Sequence, residues 1–210
     1  MAWRILILLM CFPLLLQGEL PEIDLPADLE APRREFIEHS LKALEEHPAI
    51  PYVFAGSCPE DGGMDCSGTV FYLLGLVGLD PPRSAQNLHD WINQSDKLVT
   101  IPAGVTKADD PAFAKMLPGD LLFWGTPAPD GSVPITHVEI YLGREKKDGR
   151  RVMIGSSDGR SYRGVKKNGF DIVDFQVPKA DSPKRLVAYG PPVWEDRKKE
   201  PRKRDVPRKK

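Results

Sequence analysis

This chain of 210 residues has only three cysteines and no surplus of either charge, its formal net charge being -1. A near-neutral total excludes a chain that holds nucleic acid through bulk positive charge. The histidines, at 39, 47, 89 and 137, show no metal-ligand spacing with the cysteines, so neither a metal nor another cofactor is expected. There is no phosphate-binding glycine loop and no internal repeat. No apolar run reaches the ~20 residues that a membrane-spanning helix needs. The longest, Ile5 to Leu16, follows the single charge of Arg4 and has the length of a secretory core. Gly18 offers a small residue for cleavage, and residues 1–18 are read as an export signal, placing the mature chain in the periplasm, in the cell envelope or outside the cell. Cys11 goes with that segment. Cys58 and Cys66 remain, and export permits a disulfide between them.

What is present bounds the rest. Hydrophobic residues make up 41% and charged residues 28%, enough for one domain with a sizeable core. Residues 19–31 carry five acids, two prolines and no base, and read as an acidic linker. At the other end, Glu195 to Lys210 holds nine Lys/Arg against four acids, with Val206 its only aliphatic residue. Residues 193–210 therefore read as a disordered basic tail, either solubilising or a tether to an anionic polymer or membrane surface. The domain occupies residues 32–192, and nothing in it calls for more than a monomer.

Within the domain, helical signals come first and strand signals second. Pro32 suits a helix start, and Ile37, Leu41 and Leu44 follow at helical spacing. A buried helix is expected after Cys66, closed by Gly78, and a short one near Ser84 to Ile92. "GDLLFWG", "THVEIYLG", "RVMIGSS", "FDIVDFQV" and "KRLVAYG" read as strands, the second and third joined by the turn "REKKDG". In "THVEIYLG", alternation puts Val138, Ile140 and Leu142 on one face and His137, Glu139 and Tyr141 on the other. This order predicts an α+β domain.

Cys66 stands where a helix should begin, after the Gly62-Gly63 turn. Helix amides at that position favour a thiolate, the nucleophilic form of cysteine. A nucleophile of this kind needs a histidine base from elsewhere in the fold. His137 is the best placed, on a strand face opposite the aliphatic residues. His39, His47 and His89 read as surface residues. On spacing alone, an inert buried Cys66 and a nucleophile are equally admissible.

The segments "PYVFAGS…MDCSGTVFYLL", "PRSAQN", "LPGDLLFW" and "HVEIYLG" occur in that order between about Ile37 and Tyr189. Together they resemble the NlpC-type papain-like cysteine peptidases of bacterial cell walls. The resemblance implies a papain-like α+β fold, with N-terminal helices packed on a small antiparallel sheet. It also implies hydrolysis of peptidoglycan stem peptides, commonly between D-glutamate and a diamino acid. Cys66 would be the nucleophile, His137 the base, and Tyr52 the tyrosine facing the thiol. Asp65 and Ser67 flank the nucleophile, and Arg83 and Ser84 match an element near the cleft. Two positions depart from the pattern. The family usually has a small residue where Glu139 stands. It also has a polar residue, often histidine, where this chain has Gly155. The group that orients His137 is thus absent from its usual place. Ser156, Ser157 or Asp158 could supply it, with Asp158 taken as the candidate; so could a backbone carbonyl, a water, or Glu139. Two other functions share these features. One is an amidase or acyltransferase of the same fold, and the other a catalytically impaired wall-binding protein.

Overall fold

The computed structural model describes residues 20–198. The expected export signal and the tail beyond Lys198 lie outside the described residues. The elements run in chain order as β1 (Ile23–Asp24), α1 (Ala31–Glu46), β2 (Ser57–Cys58), β3 (Gly63–Met64), α2 (Cys66–Leu76) and α3 (Ala85–Asn93). They continue as β4 (Val99–Thr100), β5 (Leu121–Gly125), β6 (Ile135–Glu145), β7 (Arg151–Tyr162), β8 (Val165–Asp174) and β9 (Arg185–Gly190). Among the described residues, seven strands form one antiparallel sheet in the order β4-β9-β5-β6-β7-β8, with β1 on the end of β6. A small β2–β3 hairpin stands apart and leads into α2. The chain is α+β.

The sheet has two apolar faces, as its alternation dictates. Leu121, Phe123, Val138, Ile140 and Ile154 share one buried cluster with Phe36 and Ile37 of α1, Val70, Leu73 and Leu74 of α2, and Leu88 of α3. Leu122, Trp124, Tyr141, Met153 and Val173 form a second cluster on the other face, closed by Phe113, Phe175 and Tyr189. His137 and Glu139 belong to that second face by parity, at the end of β6 nearest the start of α2.

Both expected extensions are partly built into the domain. Leu20, Ile23 and Leu25 pack on the first cluster, and Ile23 and Asp24 pair with Glu145 and Arg144. The apolar residues between the acids of the linker are what dock it. At the other end Trp194 meets Phe36 edge-on at 5.8 Å, Arg197 pairs with Glu35 at 2.6 Å, and Lys198 pairs with Asp80 at 3.2 Å. His89, expected at the surface, instead sets its ring against Phe123 at 5.4 Å.

Candidate active site

The start of α2 is held by an unusual concentration of polar contacts. Asp65 caps the helix, its Oδ1 accepting from the Gly68 amide at 2.6 Å, while its Oδ2 accepts from the Ala55 amide at 2.9 Å. Arg83 spans both carboxylate oxygens at 3.0 Å each, and also donates to Ser67 Oγ and the Gly56 carbonyl, both at 2.9 Å. Burial alone would raise the Asp65 carboxyl. Arg83 and the Gly68 amide overcome that and hold it below the usual carboxylate range. Gly68 is needed because the Gly56 carbonyl presses on the helix: a Cβ at 68 would sit 2.0 Å from that oxygen. These contacts fix the first turn, and Cys66, its first residue, is buried there as a free thiol.

The imidazole of His137, carried by β6, lies within hydrogen-bonding reach of the Cys66 thiol. Its Nε2 donates to Glu139 Oε1 at 2.8 Å, which leaves Nδ1 for the sulfur. Burial pulls the imidazole down. The hydrogen bond to Cys66 and the bond and charge of Glu139 outweigh burial and push it up to about 9. Glu139 is itself fully buried. Burial would raise its carboxyl, but the Arg160 guanidinium, with Nε at 3.3 Å, and His137 keep it below the ordinary range. Arg160 in turn lies over the Trp124 ring at 4.5 Å, and Trp124 flanks His137 at 5.5 Å between centroids.

Glu139 has room because residue 155 is glycine. A Cβ at 155 would lie 2.9 Å from Glu139 Cγ and 3.3 Å from its Cβ. Gly155 is not among the residues with positive φ, so the glycine serves space and not backbone conformation. Residues i and i+2 of a strand share a face at about 7 Å, too far for a short side chain. The two methylenes of glutamate, folded over Gly155, close that distance. A bulge in β7 between Asp158 and Ser161, with Gly159 at φ 104°, turns Arg160 back onto the carboxylate.

The structure thus brings Cys66 and His137 together and gives His137 a partner other than the one expected. Asp158 is exposed on the cleft wall and makes no bond to His137: it still pairs in regular register with Asn168, so alternation sets it on the opposite strand face from Ser157. Ser156 Oγ donates to the Met64 carbonyl at 2.6 Å on the other face of the sheet. Ser157 lines the cleft without a hydrogen-bond partner. Tyr52 bridges to Met64 and lines the same cleft. Burial, followed by the negative charge of Cys66, Asp65 and Asp158, pushes its phenol above the ordinary value, so it stays a hydrogen-bond donor. Arg160 was missed in the sequence. Its signal was the Asp158-Gly159 pair inside a strand, which marks a bulge.

A buried thiol at a helix start, facing a strand-borne imidazole backed by a carboxylate, defines a papain-like thiol site on an α+β domain. The chain matches the NlpC/P60 family profile over residues 49–176, and it belongs to that family. Two curated relatives come from Bacillus subtilis (strain 168). The bifunctional muramidase/DL-endopeptidase CwlT is 33% identical over 136 residues, covering 65% of this chain and 34% of the relative. The gamma-DL-glutamyl hydrolase is 30% identical over 104 residues, covering 49% of this chain and 20% of the relative. The chain therefore spans about a third and a fifth of the lengths of these relatives.

Proposed function

We propose that this protein is an exported cysteine endopeptidase that hydrolyses peptidoglycan stem peptides. One observation carries the reading: the His137 imidazole bonds the buried Glu139 carboxylate at 2.8 Å and is raised both by that carboxylate and by the neighbouring Cys66 thiol. An imidazole raised to about 9 remains protonated at neutral pH and supports a thiolate–imidazolium pair. The thiolate attacks the scissile carbonyl. Backbone amides at the start of α2 and the Tyr52 hydroxyl stabilise the oxyanion. His137 then gives its proton to the leaving amine, producing an acyl-thioester on Cys66. Water, deprotonated by His137, hydrolyses the thioester and restores the thiol. Glu139 fixes the ring and stays ionised throughout, as a positioning residue.

The names of the two relatives, a DL-endopeptidase and a glutamyl hydrolase, support a bond next to D-glutamate as the target. The apolar segment at residues 5–16 supports export, and the basic segment beyond Lys198 supports contact with an anionic wall polymer or membrane surface. Gly155 was the ground for the alternative of an impaired wall-binding protein; the 2.8 Å bond from His137 to Glu139 supports a working site instead. The test is mass spectrometry of purified wall digested by the protein. New amino termini next to D-glutamate, absent with Cys66→Ala, are the expected result. Intact muropeptides with the wild-type chain overturn the reading.

A further inference from the structure

Strand β6 buries two carboxylates, Glu139 and Glu145, and both take their cation from the same short stretch of the β7–β8 hairpin. Arg160 Nε lies 3.3 Å from Glu139 Oε1, and the Arg163 guanidinium pairs with Glu145. Among the described residues neither acid pairs with another Lys or Arg. At the rise of a strand the two acids stand about 20 Å apart along β6. β7 runs antiparallel to β6, with Ile154 opposite Ile140 and Arg151 opposite Arg144. A straight β7 would therefore carry residue 163 to the end of β6 farthest from Glu145. Instead the hairpin doubles back. Gly159 of β7, at φ 104°, and Gly169 of β8, at φ 92°, hold left-handed conformations beside the register shift between Asp158 and Ser161. The returning end is tied down along its length. Gln176 Nε2 donates to Ser161 Oγ at 3.3 Å, and the Arg163 amide donates to Asp174 Oδ2 at 3.0 Å. The Arg163 guanidinium reaches Asp148 Oδ2 at 2.9 Å as well as Glu145. A buried carboxylate is costly without a cation, so Glu145 holds Arg163 firmly. Arg160 lines the cleft beside His137, and Arg163 does not.

We propose that Arg163 is a remote positioning residue, whose pairs with Glu145 and Asp148 latch the doubled-back hairpin end that sets Arg160 on Glu139. The inference rests on the reading of Glu139 as the carboxylate that fixes His137. Without the latch the hairpin end is free to straighten at its two glycines and withdraw Arg160. Glu139 then faces only the imidazole of His137 on its own strand. Its neighbours across the sheet, Leu122 on β5 and Gly155 on β7, carry no charge, and Cys66 of α2 interacts with the imidazole. Burial, no longer opposed by Arg160, raises the Glu139 carboxyl, which takes up a proton at higher pH and stops supporting the imidazolium.

The test follows two acid limbs in the full-length chain. One is hydrolysis of a soluble stem peptide containing D-glutamate, and the other is alkylation of Cys66 by iodoacetamide, read by peptide mapping. Arg163→Ala should move both limbs to higher pH by about one unit or more, the range a neighbouring guanidinium commands. Arg163→Lys, which keeps the charge, should recover part of the shift. Arg160→Gln should shift the limbs in the same direction, and adding Arg163→Ala should move them no further, because Arg163 acts through Arg160. Asp148→Ala removes the exposed pair alone; it should give a smaller shift, and it takes the place of Arg163→Ala if that chain does not fold. A merely structural contact lowers the melting temperature and leaves the limbs where they are. Unmoved limbs in folded Arg163→Ala, or in folded Asp148→Ala where it stands in, overturn the proposal, as does an undiminished shift from Arg163→Ala in the Arg160→Gln background. Limbs that move in Arg160→Gln but not in Arg163→Ala keep the role of Glu139 and reject the latch. A shifted alkylation limb in a chain that cleaves no peptide keeps the latch and rejects the peptidase.

Discussion

Removing the carboxylate of Glu139 tests the centre of the site. Glu139→Gln keeps the volume folded over Gly155 but removes the charge and allows the amide to present a donor to Nε2. The ring then loses both its fixed orientation and the charge that favours its protonated form. Loss of an orienting carboxylate lowers turnover by about 10²–10⁴. Glu139 is among the causes that lift His137 to about 9, so its loss moves the alkaline limb of the pH–rate profile to lower pH. A merely structural role would lower stability without moving that limb. The assay is hydrolysis of a soluble stem-peptide mimic from pH 5 to pH 10, with thermal melts as the control for folding. The reverse experiment restores the family arrangement. Gly155→His alone forces a Cβ to within 2.9 Å of Glu139 Cγ and should destabilise the chain by about 1–3 kcal/mol. Combined with Glu139→Gly, the clash disappears and a histidine stands where the family usually has a polar residue. Turnover should then recover above that of Glu139→Gly alone. Full turnover in Glu139→Gln, with the alkaline limb unmoved, refutes the assignment.

Cys66→Ala should abolish hydrolysis with the melt little changed, and iodoacetamide near neutral pH should label Cys66 before Cys58, whose thiol burial pushes up; peptide mapping reads both. Folding raises His137 from 6.5 to about 9, so its contribution to stability is complete below about pH 6.5 and is lost as pH rises through 9. Melting temperatures across that range should fall more steeply for the wild type than for Glu139→Gln. Arg83→Ala strips both contacts from Asp65 and leaves the Gly56 carbonyl without that donor, and should cost about 1–3 kcal/mol by urea unfolding. Truncation after Lys198 spares the Arg197–Glu35 and Lys198–Asp80 pairs, so it should weaken sedimentation with cell walls at low salt without changing turnover of soluble peptides.

Regular elements were legible where side-chain periodicity is strong. The helix from Pro32, the helix from Cys66 and the strands at 121–125, 151–157 and 185–190 were readable because burial of one face imposes the period. The strand expected at 170–177 instead runs from Val165 to Asp174: its exposed first half pairs with β7 through backbone bonds, which leave no hydrophobic signature. The two-residue strands β1, β2, β3 and β4 were invisible for the same reason. Cys66 and His137 were candidates because each sits at an element whose geometry suits its type, and it was the resemblance to NlpC-type peptidases that favoured a nucleophile over an inert buried thiol. The orienter could not be named, because its identity depends on the side-chain space across β6 and β7, and a one-dimensional reading has no access to that space. Alternation did place Glu139 on the face of His137; what it could not show was that Gly155 opens the path between them.

Set against the pattern that the resemblance implies, the two departures are complementary: the polar partner of His137 stands on β6 instead of β7, and Gly155 leaves the space that it fills. This placement has a consequence for how the site is held. An orienter on the neighbouring strand depends on the β6–β7 register to reach the imidazole; Glu139 is joined to His137 by two peptide units, and the register now sets only its room, through Gly155, and its charge partner, Arg160. The cost falls on charge. A buried carboxylate in place of a neutral or cationic side chain must be kept ionised, and burial works against it. Arg160 supplies the compensation, and the bulge at Gly159 exists in the strand where it can deliver that guanidinium. Glu139, Gly155 and Arg160 therefore form a set: a side chain at 155 clashes with Glu139, and loss of Arg160 leaves the buried carboxylate with His137 alone to hold its charge.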